Sequence, residues 1–149
     1  MEQWMAPKSM IATMLHFDFR EGGCYRMRLT YRSAEDGRGK TSDNADEVEV
    51  RLIELIDARR IEQAVTFESD DAEFSGVMRM TWMLEPAEHG TLVTIRAEDV
   101  PRGIRREDHE TGMNSTLDNL AAFLGGQRID SELRSGATPG DSSLRDSSR

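Results

Sequence analysis

Apolar and polar residues alternate with a period of two through most of this 149-residue chain, from Ile11 to Asp99. The segment "CYRMRLTY", Cys24–Tyr31, is the clearest case, because its aromatic and aliphatic residues alternate with arginine and threonine. Successive side chains of a strand point to opposite faces, so this period predicts strands with one buried and one solvated face. Such strands are typical of an antiparallel sheet.

The alternation recurs in about six segments, joined by short polar connections such as "AEDGRGK" and "PAEHG". The residues predicted to share the buried face are Leu15, Phe17 and Phe19; Tyr25, Met27, Leu29 and Tyr31; Val48, Val50, Leu52 and Ile56; Ile61, Val65 and Phe67; Met78, Met80, Trp82 and Leu84; and Val93, Ile95 and Ala97. Short turns between consecutive strands predict a meander of about six strands.

The period changes after "DVPRG", where an apolar stripe with helical spacing begins. Its members are Met113, Leu117, Leu120, Ala121 and Leu124. Glu107 and Asp108 place acidic groups in the first turn, which the helix dipole favours, and glycines at 125 and 126 end the helix. The sequence thus predicts an α+β fold, a curved antiparallel sheet gripping one long C-terminal helix. Because one helix cannot fill a strongly bent sheet, we expect a cavity between them.

The chain divides into a folded domain, residues 1–124, and a Ser/Gly-rich tail, residues 125–149. The tail contains few large apolar residues that could offset the entropy lost on ordering, so we predict that it is disordered.

Charge and composition narrow the possible functions. The net charge is -9, without a compensating run of Lys and Arg, which argues against nucleic acid and anionic membranes as partners. The single cysteine, Cys24, excludes an intramolecular disulfide. No apolar run approaches the roughly 20 residues of a membrane-spanning helix, and "MEQWMAPKSM" lacks the apolar region of a signal peptide. A cytoplasmic location is the expectation.

Neither the glycine pair nor the histidines predict a phosphate, metal or cofactor site. Gly22 and Gly23 lead into a strand, whereas a phosphate loop leads into a helix N-terminus, so we interpret them as a turn or bulge. The histidines lack nearby His, Cys or carboxylate partners at zinc-ligand spacing, and Cys24 faces outward without an evident base. We therefore predict no metal and no cofactor.

Several short motifs, in their order and spacing, resemble one superfamily. They are "W..P" (Trp4, Pro7), "D.R.GG" (Asp18, Arg20, Gly22, Gly23), "GT.VT" (Gly90, Thr91, Val93, Thr94), "VP" (Val100, Pro101) and "G....L..L...L" (Gly112, Leu117, Leu120, Leu124). From Trp4 to Leu124 the chain resembles the SRPBCC, or START-like, helix-grip superfamily. Within it, the chain is most similar to the branch named for the activator of the heat-shock chaperone ATPase.

The chain departs from this resemblance at two places. Family members normally begin with a further strand and helix before the "W..P" segment. If Met1 is the true start, sheet edges stay unpaired, which favours aggregation or a homodimer; the alternative, which we favour slightly, is a misplaced start in a longer reading frame. Met113 stands where the family commonly has Trp, and its flexible side chain suits an irregular apolar ligand.

The inward aromatic and methionine residues, with one amide, are the candidate ligand-binding residues. They are Tyr25, Met27, Tyr31, Gln63, Phe67, Met78, Met80, Trp82, Met113 and Leu117. Glu54 is a weak catalytic candidate, because it follows Val50 and Leu52 in the inward register. Alternatively, a bulge near Glu54 turns its side chain outward.

Three functions are compatible with the sequence. The resemblance implies binding of a small hydrophobic molecule between sheet and helix, which we favour. Some superfamily relatives are polyketide cyclases or dehydratases, and Glu54 with Gln63 or Tyr25 could transfer protons in a dry pocket. The branch name suggests a partner of a chaperone ATPase, although a label inherited from a distant co-chaperone is a weak guide for a stand-alone chain.

Overall fold

The structure is a computed structural model that describes residues 1–37, 39–42 and 44–125 in full, and the backbone of 132–134 and 143–147. Six consecutive strands form an antiparallel meander, as the sequence predicts. They are β1 (Met10–Phe17), β2 (Cys24–Tyr31), β3 (Ala45–Ile56), β4 (Arg60–Phe67), β5 (Met78–Ala87) and β6 (Gly90–Glu98). A short 3-10 helix, Ala72–Phe74, lies between β4 and β5.

One long helix, α1 (Arg106–Phe123), follows the last strand of the meander. Met113, Leu117 and Ala121 are buried, as predicted, and Thr116 is buried between them. Leu124, predicted as the end of the apolar stripe, lies just past the helix and is exposed. The fold is thus a curled antiparallel sheet with one C-terminal helix, the predicted α+β helix-grip architecture.

Most of the predicted tail, 125–149, lies outside the described residues. Two short strands within it, β7 (Glu132–Arg134) and β8 (Ser143–Ser147), extend the sheet in the order β1-β2-β3-β4-β5-β6-β8-β7. β8 pairs with β6 at Leu92 and Val93. The division into a domain and a disordered tail stays a prediction.

The core lies on the concave face of the sheet, where the alternating residues meet α1. Leu52, Ile95 and Ala97 are completely buried there. Their strands β3 and β6 lie on opposite sides of β4 and β5, so the buried face continues across the sheet.

Two bulges overturn the predicted register of two residues. In β1 the pairing shifts between Met14 and His16, and Leu15 is exposed while Met10 and Ala12 point into the core. In β3 the pairing shifts between Leu52 and Glu54, so Ile56, predicted to be inward, is exposed. A bulge inserts one extra residue, which moves every later side chain to the other face.

Gly22 and Gly23 form the turn before β2 that the sequence predicts. Gly22 has a φ of 77°, a conformation that favours glycine. A Cβ atom at Gly23 would lie 2.4 Å from the Asp18 carbonyl oxygen, so no larger residue fits there. The Gly22 N–H donates to the Leu52 carbonyl, and the Leu52 N–H donates to the Gly23 carbonyl, both at 2.9 Å. The turn therefore extends the pairing between β2 and β3.

Among the described strands, β1 forms one edge of the sheet. The backbone N–H of Met14, on this strand, donates to the Glu2 carboxylate. The segment after Glu2 is attached to α1: Thr116 Oγ1 donates to the Met5 carbonyl at 2.9 Å and Asn119 Nδ2 to the Ala6 carbonyl at 2.7 Å. These bonds hold the N-terminal segment between the helix and the edge of the sheet.

Candidate functional site

A partly open cavity of about 1010 Å³ lies between the concave face of the sheet and the first half of α1. Strands β2 to β6 supply its wall, because each presents every second side chain to that face. Nine of the ten predicted ligand-binding residues line it: Tyr25, Met27, Tyr31, Gln63, Phe67, Met78, Met80, Trp82 and Met113. Leu117, the tenth, is a buried core residue of α1 and does not line the described cavity.

A smaller cavity of about 260 Å³ lies next to the large one. The two share Gln63, Trp82 and Met5, and the small one is otherwise apolar, with walls from Met1, Trp4, Phe17, Phe19 and Ile61. Phe17 and Phe19 are on the face that the sequence predicts, yet they are 56% and 37% exposed because they border this opening. Aromatic side chains exposed in a concavity are typical of a binding site.

The aromatic rings of this region are stacked on one another. The Phe19 ring stacks on Tyr25 at 6.3 Å between centroids and on Phe17 at 5.8 Å, and Trp4 meets Trp82 edge to face at 6.1 Å. Aromatic pairs at these separations are favourable and hold the rings in defined orientations. The rings thus form a preorganised apolar wall.

Tyr25 and Gln63 form a polar pair within this apolar wall. Gln63 Nε2 donates to the Tyr25 hydroxyl at 3.2 Å, and both side chains are almost completely buried. Burial raises the pKa of Tyr25 to about 12, and the hydrogen bond from Gln63 offsets only part of that rise. The phenol therefore keeps its proton at neutral pH.

The other end of the large cavity carries charged groups. Lys40 Nζ donates to the buried Asp46 carboxylate at 2.7 Å and lies 5.2 Å from the centre of the Phe67 ring. Burial raises the pKa of Tyr31, and the negative charges of Asp46 and Asp108 add to this rise. Tyr25 and Tyr31 lie six residues apart on β2, so about 20 Å separates the aromatic end of the cavity from the charged end.

His109, in the first turns of α1, also lines the charged end. Burial lowers its pKa, and the charge of Lys40 adds to this, while Glu110 acts in the opposite direction. The imidazole is therefore neutral at physiological pH.

The sequence analysis missed Lys40, Asp46, Asp108 and His109 as lining residues. The alternation could have predicted Asp46, because it lies two residues before Val48 in the inward register of β3. The other three lie in a loop and at a helix start, where alternation gives no information on direction.

Glu54 lies at the bulge of β3, as the alternative interpretation of this position predicts. Its carboxylate is 3.4 Å from Arg60 Nε, its side chain is 42% exposed, and it lines neither described cavity. The enzymatic alternative thus lacks the acid or base proposed for it.

The described residues provide neither a metal-binding cluster nor a membrane-spanning helix. Within the part of the chain that the structure describes, no three His, Cys, Asp or Glu side chains are grouped so that they could hold a metal ion. Of the described helices, none is long and apolar enough to cross a membrane.

A curled sheet that closes on one C-terminal helix around an apolar cavity defines the helix-grip class of proteins. Within that class, a sequence profile described as "Activator of Hsp90 ATPase homolog 1-like protein" matches residues 1–125. The chain belongs to this family, which confirms the resemblance found in the sequence.

Solved structures agree with this assignment. A protein of Chromobacterium violaceum is 28% identical, with a TM-score of 0.71, over 83% of this chain and 78% of that one. A protein of Rhodobacter sphaeroides is 17% identical and shares the fold, with a TM-score of 0.63 over 85% of this chain and 77% of the other. A comparison with curated proteins gave no match.

Proposed function

We propose that this protein binds a small hydrophobic molecule in the cavity between its sheet and α1. The cavity itself supports the proposal most strongly: its volume of about 1010 Å³ is at the upper end of the range for small-molecule sites. Its wall is mainly apolar, with a few polar groups at defined positions, which is the usual composition of such sites. Membership of a helix-grip family is consistent with this function.

Methionines suit the wall to an irregular ligand. Met27, Met78 and Met113 are buried and line the cavity from three different elements. Because methionine is unbranched and polarisable, it adapts to different apolar shapes. We infer a ligand with an extended apolar body rather than one held mainly by polar contacts.

The proposal is tested by titration with N-phenyl-1-naphthylamine, an uncharged dye that becomes fluorescent when it leaves water. We expect saturable binding of one dye per chain to the wild type. Met80→Trp places a larger side chain inside the cavity and should weaken binding by roughly tenfold or more, since the ligand loses buried contact area.

Met83→Trp is the matched control. Met83 lies on the same strand, three residues later, and does not line either described cavity. The Met83→Trp variant should bind the dye with an affinity within about twofold of that of the wild type, which is within the scatter expected for a remote substitution. Absence of saturable binding to the wild type, or equal weakening by the two variants, would contradict the proposal.

The other functions weighed from the sequence stay predictions. For the cyclase or dehydratase alternative, the proposed acid or base Glu54 lies outside both described cavities. The chaperone alternative is supported only by the description of the family. A cytoplasmic location and a homodimer likewise stay predictions.

A further inference from the structure

The pair formed by Tyr25 and Gln63 has more hydrogen-bonding capacity than the protein uses. In the described part of the chain, the Gln63 side chain makes one hydrogen bond, to Tyr25, although the residue is only 4% exposed. Gln63 lines both cavities and so lies where they join. Buried polar groups are almost always paired, so the rest of the capacity of this pair is available to a molecule or a water bound in the cavity.

The unused capacity of the pair includes both donors and acceptors. With Gln63 Nε2 donating to the Tyr25 hydroxyl, the phenol proton, the second amide N–H and the amide oxygen remain. If the amide is rotated by 180°, the phenol donates to the amide oxygen, and both amide N–H groups and a phenol lone pair remain. Both orientations therefore offer at least one donor beside one acceptor.

Trp82 adds a second unused donor nearby. It is 6% exposed, and its Nε1–H has no hydrogen-bond partner among the described residues. On the paired strands β4 and β5, Trp82 lies opposite Ile61, which places it diagonally from Gln63 on the same face. The polar groups with unused hydrogen-bonding capacity are thus concentrated at the junction of the two cavities.

This junction is uncharged. Within the described chain, no charged side chain lines the smaller cavity. The larger cavity has charged lining residues, namely Lys8, Asp36, Lys40, Asp46, Arg105, Asp108 and Asp118; Lys40, Asp46 and Asp108 lie towards the Tyr31 end, and none of the seven is among the residues that the two cavities share. An ionised ligand group at the junction would lose its hydration without gaining a counter-charge. The group that binds here is therefore neutral.

We propose that the ligand is an uncharged apolar molecule that carries a hydroxyl group, and that this hydroxyl binds between Tyr25 and Gln63. A hydroxyl both donates and accepts, so it pairs with the junction in either orientation of the amide. This inference rests on the proposed function, since it specifies the chemistry of the molecule bound in the same cavity.

The test compares 2-naphthol with 2-methylnaphthalene, which has the same rings and a methyl group in place of the hydroxyl. Calorimetric titrations at pH 7 measure both probes against the wild type and Tyr25→Phe. We expect Tyr25→Phe to weaken 2-naphthol binding by roughly tenfold, the effect of one net hydrogen bond, and to change 2-methylnaphthalene binding less than about twofold.

Thr30→Val is the matched control, because it removes a hydroxyl group from the same strand and Thr30 lines neither described cavity. It should leave the affinity for 2-naphthol unchanged. Gln63→Leu should repeat the effect of Tyr25→Phe, and it replaces that variant if circular dichroism shows that Tyr25→Phe does not fold. The anion 2-naphthoate should bind the wild type more weakly than 2-naphthol.

The outcomes separate this inference from the proposed function. If neither 2-naphthol nor 2-methylnaphthalene binds, the proposed function fails. If both bind and neither Tyr25→Phe nor Gln63→Leu discriminates between them, the cavity binds apolar molecules but the hydroxyl assignment is overturned. Tighter binding of 2-naphthoate than of 2-naphthol would overturn the uncharged class.

Discussion

At the scale of single residues, burial decides what Tyr25 can do. The phenol is 2% exposed among aromatic rings, and its pKa is raised to about 12. Its anion would be poorly solvated there, so the group stays a hydrogen-bond donor at every pH at which the protein is used. Tyr25 is thus suited to binding a neutral acceptor and unsuited to acting as a base.

The raised pKa of Tyr25 makes stability depend on alkaline pH. In the unfolded chain the phenol ionises near pH 10.0, whereas in the folded protein it ionises near 12, so the folded state binds the proton more tightly. The stabilisation is complete below pH 10 and is lost as the pH rises towards 12. Its full size is about 2 to 3 kcal/mol.

Urea denaturation between pH 9 and 12 measures this dependence. Tyr25→Phe should show a shallower decrease than the wild type, and Tyr31, whose pKa is also raised, accounts for part of the remainder. Identical slopes for the wild type and Tyr25→Phe would show that Tyr25 ionises alike in both states.

His109 makes the stability of the fold depend on pH in the acidic range. Because burial and Lys40 lower its pKa below 6.5, the unfolded chain binds the proton more tightly, and stability should fall as the pH decreases below 6.5. NMR titration of the imidazole should give a midpoint below 6.5. In His109→Gln the stability should fall less over the same pH interval, and an unshifted midpoint would contradict the assigned environment.

At the scale of elements, α1 fixes the N-terminal segment through side chains rather than through its apolar stripe alone. Asn119 donates to the carbonyl of Ala6, a buried residue, and Thr116 donates to that of Met5. The helical period predicts which face of α1 is buried, but it does not predict that Thr116 lies on that face as a donor.

Asn119→Ala should lower the free energy of unfolding by about 1 kcal/mol, because it leaves the Ala6 carbonyl without its partner. Asn114→Ala is the control, since within the described residues the Asn114 side chain makes no hydrogen bond. It should change stability by less than about 0.5 kcal/mol. Equal losses in the two variants would show that the Ala6 contact contributes nothing.

The elements also show what sequence alone could predict. Six strands, their order and one helix follow from periodicity, because burial on one face imposes it. The inward positions of Val48, Val50 and Leu52 were predicted correctly, whereas Ile56 was predicted to be inward and is exposed, because an inserted bulge residue leaves no mark in the hydrophobic pattern. For the same reason, no pattern chooses between an inward and an outward Glu54.

At the scale of the whole molecule, the sheet encloses more volume than α1 fills. The sequence predicted that a cavity exists, but it did not predict its size. The size of the cavity depends on sheet curvature, and its charged end depends on where the β2–β3 connection places Lys40 against Asp46. Neither the size of the cavity nor the position of its charged end is encoded in a local sequence pattern. The lining residues on β2 to β6 are encoded in such a pattern, because they follow from the alternation of apolar and polar residues.

Occupation of the cavity should stabilise the whole fold. A ligand that binds only the folded state raises its stability by about 2.7 kcal/mol at one hundred times its dissociation constant. Thermal denaturation with and without N-phenyl-1-naphthylamine should therefore show a rise in the midpoint that grows with dye concentration. Met80→Trp should reduce that rise, and an unchanged wild-type midpoint at saturating dye would contradict binding to the native state.

The contact between Glu2 and the Met14 N–H has a consequence for behaviour in concentrated solution. An edge strand with apolar side chains such as Ile11 and Leu15 is a template on which another chain can add a strand. The Glu2 carboxylate occupies one of the donors that such an addition needs, and it places a negative charge beside the edge. Through this contact, an acidic residue outside both described cavities covers part of the edge on which another chain could add a strand.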